Sequence, residues 1–125
     1  MSDKTIADRM YLKNAKSMAI FNGAAHPGVS AQMPRALLDA GGEQADVVLM
    51  FAHNQDELEK FFPQALRRLG EKGSLWIGFL KQSAPKATDL TRDSIASYAK
   101  EQGATTVAIM SLDSDWSALR LKRID

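Results

Sequence analysis

The chain has two histidines, and each follows an apolar run. His26 lies in Asn22-Gly23-Ala24-Ala25-His26-Pro27-Gly28, and His53 lies in His53-Asn54-Gln55. Imidazole is the side chain that exchanges a proton near neutral pH without help, so either residue is a candidate acid or base. Asn22, Gly23 and Gly28 suit a different chemistry. Turn glycines let backbone approach a ligand, and the free N–H groups of a following helix attract an anion. Pro27 removes one of those donors. Lys81 and Lys86 flank a polar loop and are candidates to attract a phosphate or carboxylate. Asn54 and Asp89 stand just ahead of helix starts, where a side-chain oxygen accepts backbone N–H groups. The ligand-binding candidates are therefore Asn22, Gly23, His26, His53, Asn54, Lys81, Lys86 and Asp89.

No Ser, Asp or Glu spacing pairs a nucleophile with its base, so no catalytic residue is assigned. A zinc or iron site needs three or four ligands. Two histidines joined by Asp56 or Asp89 have no supporting spacing, and no metal site is expected. Asp113-Ser114-Asp115 reads as a turn, Trp116 as a packing residue with its indole N–H satisfied, and the methionines as core filler.

The elements that must position these residues follow from the apolar periodicity. Strands are predicted over 17–22, 45–52, 74–81, 105–112 and 116–123. Helices are predicted over 4–12, 29–40 and 91–102. The stripe Leu58, Phe61, Phe62, Ala65, Leu66 and Leu69 marks a further helix opened by Asn54 and Glu57. Pro63 within it predicts a kink or two short helices. Glu71-Lys72-Gly73 is expected to be a turn, and Gly103 to stop the last helix. The order β-α-β-α-β-α-β-β gives an α/β, Rossmann-like three-layer sandwich of about five strands, ending in an antiparallel hairpin. Ligands bind such sheets at the carboxyl ends of the strands. The loops 22–28, 53–55 and 81–86 all lie there, and neighbouring parallel strands would bring His26 and His53 within reach of one another.

The stretch Ala45–Gly73 followed by Ser74-Leu75-Trp76-Ile77 is similar to the second half of class I S-adenosylmethionine-dependent methyltransferases. More closely, the chain resembles a small bacterial family of uncharacterised proteins of that shape. The pattern is carried by Trp76 and Lys81, then Thr88-Asp89-Leu90-Thr91, then Asp113, Trp116, Ser117, Leu119 and Arg120. It covers about 80 residues, from 45 to 123. The resemblance implies that the last strand inserts antiparallel between the third and fourth. It also shows departures. The Gly-x-Gly-x-Gly loop is absent after the first strand, and so is the acid that holds the ribose after the second. Only about four residues separate Ala40 from Ala45. The sheet is thus a truncated methyltransferase-like one, and S-adenosylmethionine is not expected as a cofactor.

The remaining bounds come from composition. The 125 residues form one domain by size, with residues 1–16 a helical segment packing on it. Sixteen Lys and Arg against fifteen Asp and Glu give +1, which predicts neither a nucleic-acid nor a membrane partner. The absence of cysteine excludes disulfides and thiolate catalysis. No apolar run approaches the ~20 residues of a membrane span and no signal sequence is apparent, so the cytoplasm is expected. The first strand is left at a sheet edge, which predicts a homodimer or cover by the N-terminal segment. These readings favour a non-catalytic binding or adaptor domain with a degenerate methyltransferase-like fold, engaging a protein partner or a small anionic ligand. The alternative is an enzyme or sensor for a nucleotide, phosphate or S-adenosylmethionine, working at the carboxyl edge of the sheet.

Overall fold

The continuous apolar run becomes the strand around which the molecule is built. In the computed structural model, which describes residues 15, 17–33, 44–82 and 89–124, this strand spans Ala45–Phe51. In chain order the elements are β1 (Met18–Phe21), a 3-10 turn (Gly23–Ala25), α1 (Pro27–Ser30), β2 (Ala45–Phe51), α2 (Gln55–Arg68), β3 (Leu69–Leu80), α3 (Arg92–Glu101), β4 (Ala104–Ser111) and β5 (Trp116–Arg123). The sheet has five strands in the order β1-β2-β3-β5-β4. The pairs β1–β2 and β2–β3 are parallel. The last strand, β5, inserts antiparallel between β3 and β4. The methyltransferase resemblance implied this insertion, and the α/β fold class read from the sequence is the one observed.

Val48, Leu49, Met50 and Phe51 have no exposed surface, because β2 is covered on both faces. On one face Val48 and Met50 join Leu75, Ile77, Leu119 and Leu121 beneath α2 and α3. On the other, Leu49 and Phe51 join Trp76, Trp116, Val29 and Met33.

Three local expectations are corrected. Helix α1 starts at Pro27, not Val29, since His26 caps it and Pro27 takes the position where its missing N–H costs nothing. A turn follows at 31–33. The predicted segments 4–12 and 34–40, and Lys86, lie outside the described residues. Helix α2 is one element with Pro63 inside it, not two. Proline in a helix interior costs about 3 kcal/mol. Complete burial of Leu58 and Phe62 contributes about 1.5–3 kcal/mol each, which is enough to hold the helix together. Finally, Glu71-Lys72-Gly73 is not a turn between elements. The strand runs unbroken from Leu69, and the pairing passes from Ala45↔Leu69 to Val47↔Ser74. The additional β3 residues, 70–73, bulge out opposite Asp46. A Cβ on Gly73 would lie 2.7 Å from the Asp46 carbonyl oxygen, so only glycine permits the approach.

Both long helices end as their sequences direct. Asn54 accepts the Glu57 N–H at 2.9 Å to cap α2. Thr91 and Ser94 form a reciprocal capping box on α3, and Gly103 takes φ +95° past its end. Among the described residues no helix is long and apolar enough to cross a membrane.

Candidate functional site

The carboxyl ends of β1 and β2 are joined by Asn22. Its backbone takes the left-handed conformation, φ 57° and ψ 35°, which asparagine tolerates better than other non-glycine residues. That turn directs Nδ2 to the Phe51 carbonyl at 2.9 Å and to Glu57 Oε1 at 3.2 Å. Gly23 is walled in. A Cβ there would lie 3.0 Å from both Ile20 Cγ2 and Ser30 Oγ.

His26 then opens α1. Its Nδ1 accepts the Val29 N–H at 3.2 Å, and its Nε2 lies 2.8 Å from Asp113 Oδ2. An Nδ1 that accepts carries no proton, so Nε2 is the donor to Asp113. Both ring nitrogens are engaged, and 14% of the side chain is exposed. The other Asp113 oxygen accepts the Asp115 N–H at 2.8 Å and the Trp116 N–H at 2.7 Å, closing the hairpin turn. Burial pushes the Asp113 carboxyl up, but the bonds from His26, Asp115 and Trp116 outweigh it and hold the group below its ordinary range.

His53 has its own carboxylate. Glu57 Oε1 accepts the His53 backbone N–H at 2.7 Å and sits 2.9 Å from His53 Nδ1. With Asn22 added, one carboxylate oxygen serves three donors. Burial again works against ionisation, and the His53 and Asn22 bonds again prevail, so the Glu57 carboxyl lies below its usual range. The spacing of Asn54 and Glu57 is that of a capping box, but Glu57 reaches one residue further back, to His53.

The two histidines meet at one indole. Ring centroids of His26 and His53 lie 5.3 and 5.5 Å from that of Trp116, both edge-on. Phe51 approaches the same indole at 5.9 Å and His26 at 5.7 Å. Phe51 occupies the space above Gly78, where a Cβ would lie 2.5 Å from its ring.

Lys81 is not a solvated strand end. Its Nζ donates to Ser111 Oγ and to the Asp113 carbonyl, each at 2.7 Å. Asp89 Oδ1 accepts the Gln55 N–H at 3.1 Å, across to the start of α2 and not within its own loop. The structure thus brings His26 and His53 to Trp116, ties Asn22 to Glu57, leaves Asn54 as the cap of α2, places Lys81 behind the Asp113 turn, and sets Asp89 at the mouth of α2. Sequence reasoning missed Asp113, Glu57 and Trp116 as members of the site. Only Glu57 carried a signal, its distance from Asn54. Among the described residues no group of three His, Cys, Asp or Glu side chains could hold a metal ion.

The opposite end of the sheet has a different character. Two clefts of about 480 Å³ each flank the β3 bulge. Lys72 borders both, Arg120 lines one, and Lys122 with Arg123 lines the other. Arg123 is committed to the carbonyls of Leu66 and Leu69, at the end of α2.

Comparison with known proteins bears on this arrangement. The profile of one family, Protein of unknown function (DUF3052), matches residues 27–124. The chain belongs to the DUF3052 family. No curated protein matches it. Solved structures similar to this DUF3052 chain include the ribosomal protein L11 methylase of Lactobacillus delbrueckii subsp. bulgaricus, with TM-score 0.58 and 15% identity over 94% of this chain and 74% of that one. An O-methyltransferase family protein from Burkholderia thailandensis has TM-score 0.64 and 14% identity, over 90% of this chain and 52% of that one. The CcbJ methyltransferase of Streptomyces caelestis has TM-score 0.61 and 11% identity, over 95% and 88%. At these identities the likeness is one of fold. The chain spans about half the length of the Burkholderia protein.

Proposed function

We propose that this DUF3052 protein is a non-catalytic, cytoplasmic binding or adaptor domain that keeps a methyltransferase-like sheet without its chemistry. One observation carries the reading: the reactive groups at the carboxyl edge are committed to one another. His26 uses one ring nitrogen on Val29 and the other on Asp113. Lys81 holds Ser111 and the Asp113 carbonyl. A catalytic group must instead present its lone pair or proton to a substrate. The loop after β1 also lacks the Gly-x-Gly-x-Gly spacing of the methyltransferases, reading Asn22-Gly23-Ala24-Ala25-His26-Pro27-Gly28. Calorimetric titration with S-adenosylmethionine, with a thermal-shift screen of nucleotides and polyphosphates, tests this reading. Neither saturable heat nor a shift is expected. Tight, stoichiometric S-adenosylmethionine binding overturns it.

A second reading rests on His53. Its side chain is 43% exposed and its Nδ1 faces Glu57, the orientation that a carboxylate gives a general base. A small-ligand enzyme or sensor would work there. If a screened nucleotide or phosphate compound shifts the melting temperature of the native protein, and His53→Ala abolishes that shift, this reading replaces the first.

A further inference from the structure

Of the three asparagines in the chain, Asn22 alone precedes a glycine. An asparagine in that setting carries its own reaction. The backbone nitrogen of the next residue yields its proton to base and attacks the side-chain Cγ. A five-membered imide forms, and the side-chain nitrogen leaves as ammonia. Water then opens the imide to aspartate or isoaspartate. Glycine makes the attack easiest, because it has no Cβ to hinder its nitrogen or restrict the turn. The fold withholds this reaction. Ring closure needs the Gly23 nitrogen on the same side of the Cα–C bond as Cβ. At ψ 35° that nitrogen lies near the Asn22 backbone nitrogen instead, turned away from Cβ. The amide is held at its other end, where Nδ2 donates to the Phe51 carbonyl at 2.9 Å and to Glu57 Oε1 at 3.2 Å. Gly23 is pinned too. Its carbonyl accepts Ser30 Oγ at 3.0 Å and the His26 N–H at 3.1 Å.

We infer that Asn22 is a deamidation site gated by the fold, and that its conversion irreversibly unties the carboxyl end of the sheet. The reaction proceeds only in molecules whose turn between β1 and α1 has opened. Asn22 is half-buried, so water reaches it once the turn moves. Both products replace the amide with a carboxylate, which at neutral pH only accepts. A group that donated to two acceptors becomes a third acceptor, set against the Phe51 carbonyl and the Glu57 carboxylate. Two attractions turn into two repulsions, one of them between like charges. Isoaspartate also adds a methylene to the main chain, between β1 and the His26 cap of α1. Each opening is reversible before conversion and not after, so untied chains accumulate with the time spent open.

Peptide mapping of the full chain tests the inference. Trypsin releases residues 17–35, in which Asn22 is the sole asparagine, and residues 36–60, which carry Asn54 before a glutamine as an internal control. The protein is held in mildly alkaline buffer with and without concentrated urea, and the acid form of each peptide is counted by mass. Conversion of Asn22 is expected to be about a hundred-fold faster in urea, the factor that two hydrogen bonds supply when one is to a charged group. Asn54 should lag far behind in both buffers. Glu57→Ala should speed conversion in the folded chain about ten-fold and leave the rate in urea unchanged. Asn22→Asp, which carries the product's carboxylate from the start, should melt below both the native protein and Asn22→Gly, which loses the same bonds without gaining a charge. Equal rates with and without urea overturn the gating, and an Asn22 that stays intact in urea overturns the site. A folded Glu57→Ala that converts at the native rate shows that these bonds are not the gate. An Asn22→Asp protein that melts with the native one, or above Asn22→Gly, overturns the untying. Should Glu57→Ala not fold, the urea comparison still decides, since it needs no variant.

Discussion

The two ends of the sheet spend their polar side chains differently. At the carboxyl end, Asn22, His26, Glu57, Lys81 and Asp113 bind one another and the backbone, and His26 and His53 lie against Trp116. At the amino end, Lys72 and Lys122 are exposed along clefts that the β3 bulge holds apart. Open α/β sheets bind ligands at the first of these ends. In this chain that end holds a tie between the β1 and β2 loops and the β4–β5 hairpin, and clefts flank the β3 bulge at the other. A scaffold therefore fixes where loops converge without fixing whether the convergence reacts or binds itself shut.

The strongest way to break the contrast is Trp116→Ala. The indole is 9% exposed and supports His26, His53 and Phe51 at once. Its loss should cost about 3–5 kcal/mol in chemical denaturation, as for other large-to-small core changes. Near-UV circular dichroism should also lose the signal of the packed indole. A loss below about 1 kcal/mol would mean that the carboxyl end is loosely held, and the contrast would fail.

His26→Ala comes next. It deletes a helix cap, worth about 1 kcal/mol, and a bond to a carboxylate, worth about 1.5–3 kcal/mol. The two are not additive, because Asp113 keeps the Asp115 and Trp116 N–H groups. A loss of about 2 kcal/mol is expected in urea denaturation. His26→Asn can still cap α1 but cannot reach Asp113, so it should recover about 1 kcal/mol of that loss.

Acid sharpens the comparison further. Glu57 and Asp113 both titrate below their ordinary values in the fold, so the unfolded chain binds protons first as pH falls. Their contribution is complete above about pH 5 and declines as pH drops through the carboxylate range near 4 and below. Glu57→Gln and Asp113→Asn should each lower stability near neutral pH and flatten its decline in acid. Melting curves at about pH 6 and about pH 3 are enough to see it. Parallel curves for native and variant proteins would show that these carboxylates are not what the tie depends on.

What was legible in the sequence divides along range. Asn54 and Thr91 were readable as caps because each acts on a backbone group three residues away. The five strands were readable because burial on two faces leaves a continuous apolar run and a hairpin leaves a turn. The His26–Asp113 bond spans 87 positions, and Asp113 already has a sufficient local role in its turn. Nothing in its neighbourhood marks the second oxygen as taken. Convergence of the histidines was foreseen from topology, but the indole between them was not. Trp116 opens a strand, and sequence does not show which loops its ring will meet. The β3 bulge was hidden for another reason. Gly-Glu-Lys-Gly is as suitable for a bulge as for a turn, and only the pairing of Ala45 with Leu69 and Val47 with Ser74 distinguishes them.

The smallest effect is expected at the amino end and is the most discriminating for the contrast. Lys72→Ala and Lys122→Ala remove exposed ammonium groups that border the clefts. Surface substitutions away from buried networks change stability by about 0.5 kcal/mol or less. Gly73→Ala, in the same bulge, should instead cost clearly more, because its Cβ would lie 2.7 Å from a backbone oxygen that cannot turn aside. The amino end would then be rigid in backbone and indifferent in side chain, the reverse of the carboxyl end, where side chains supply the rigidity. If the lysine variants lost as much stability as Gly73→Ala, their charges would be part of the fold, and the two ends would no longer differ in kind.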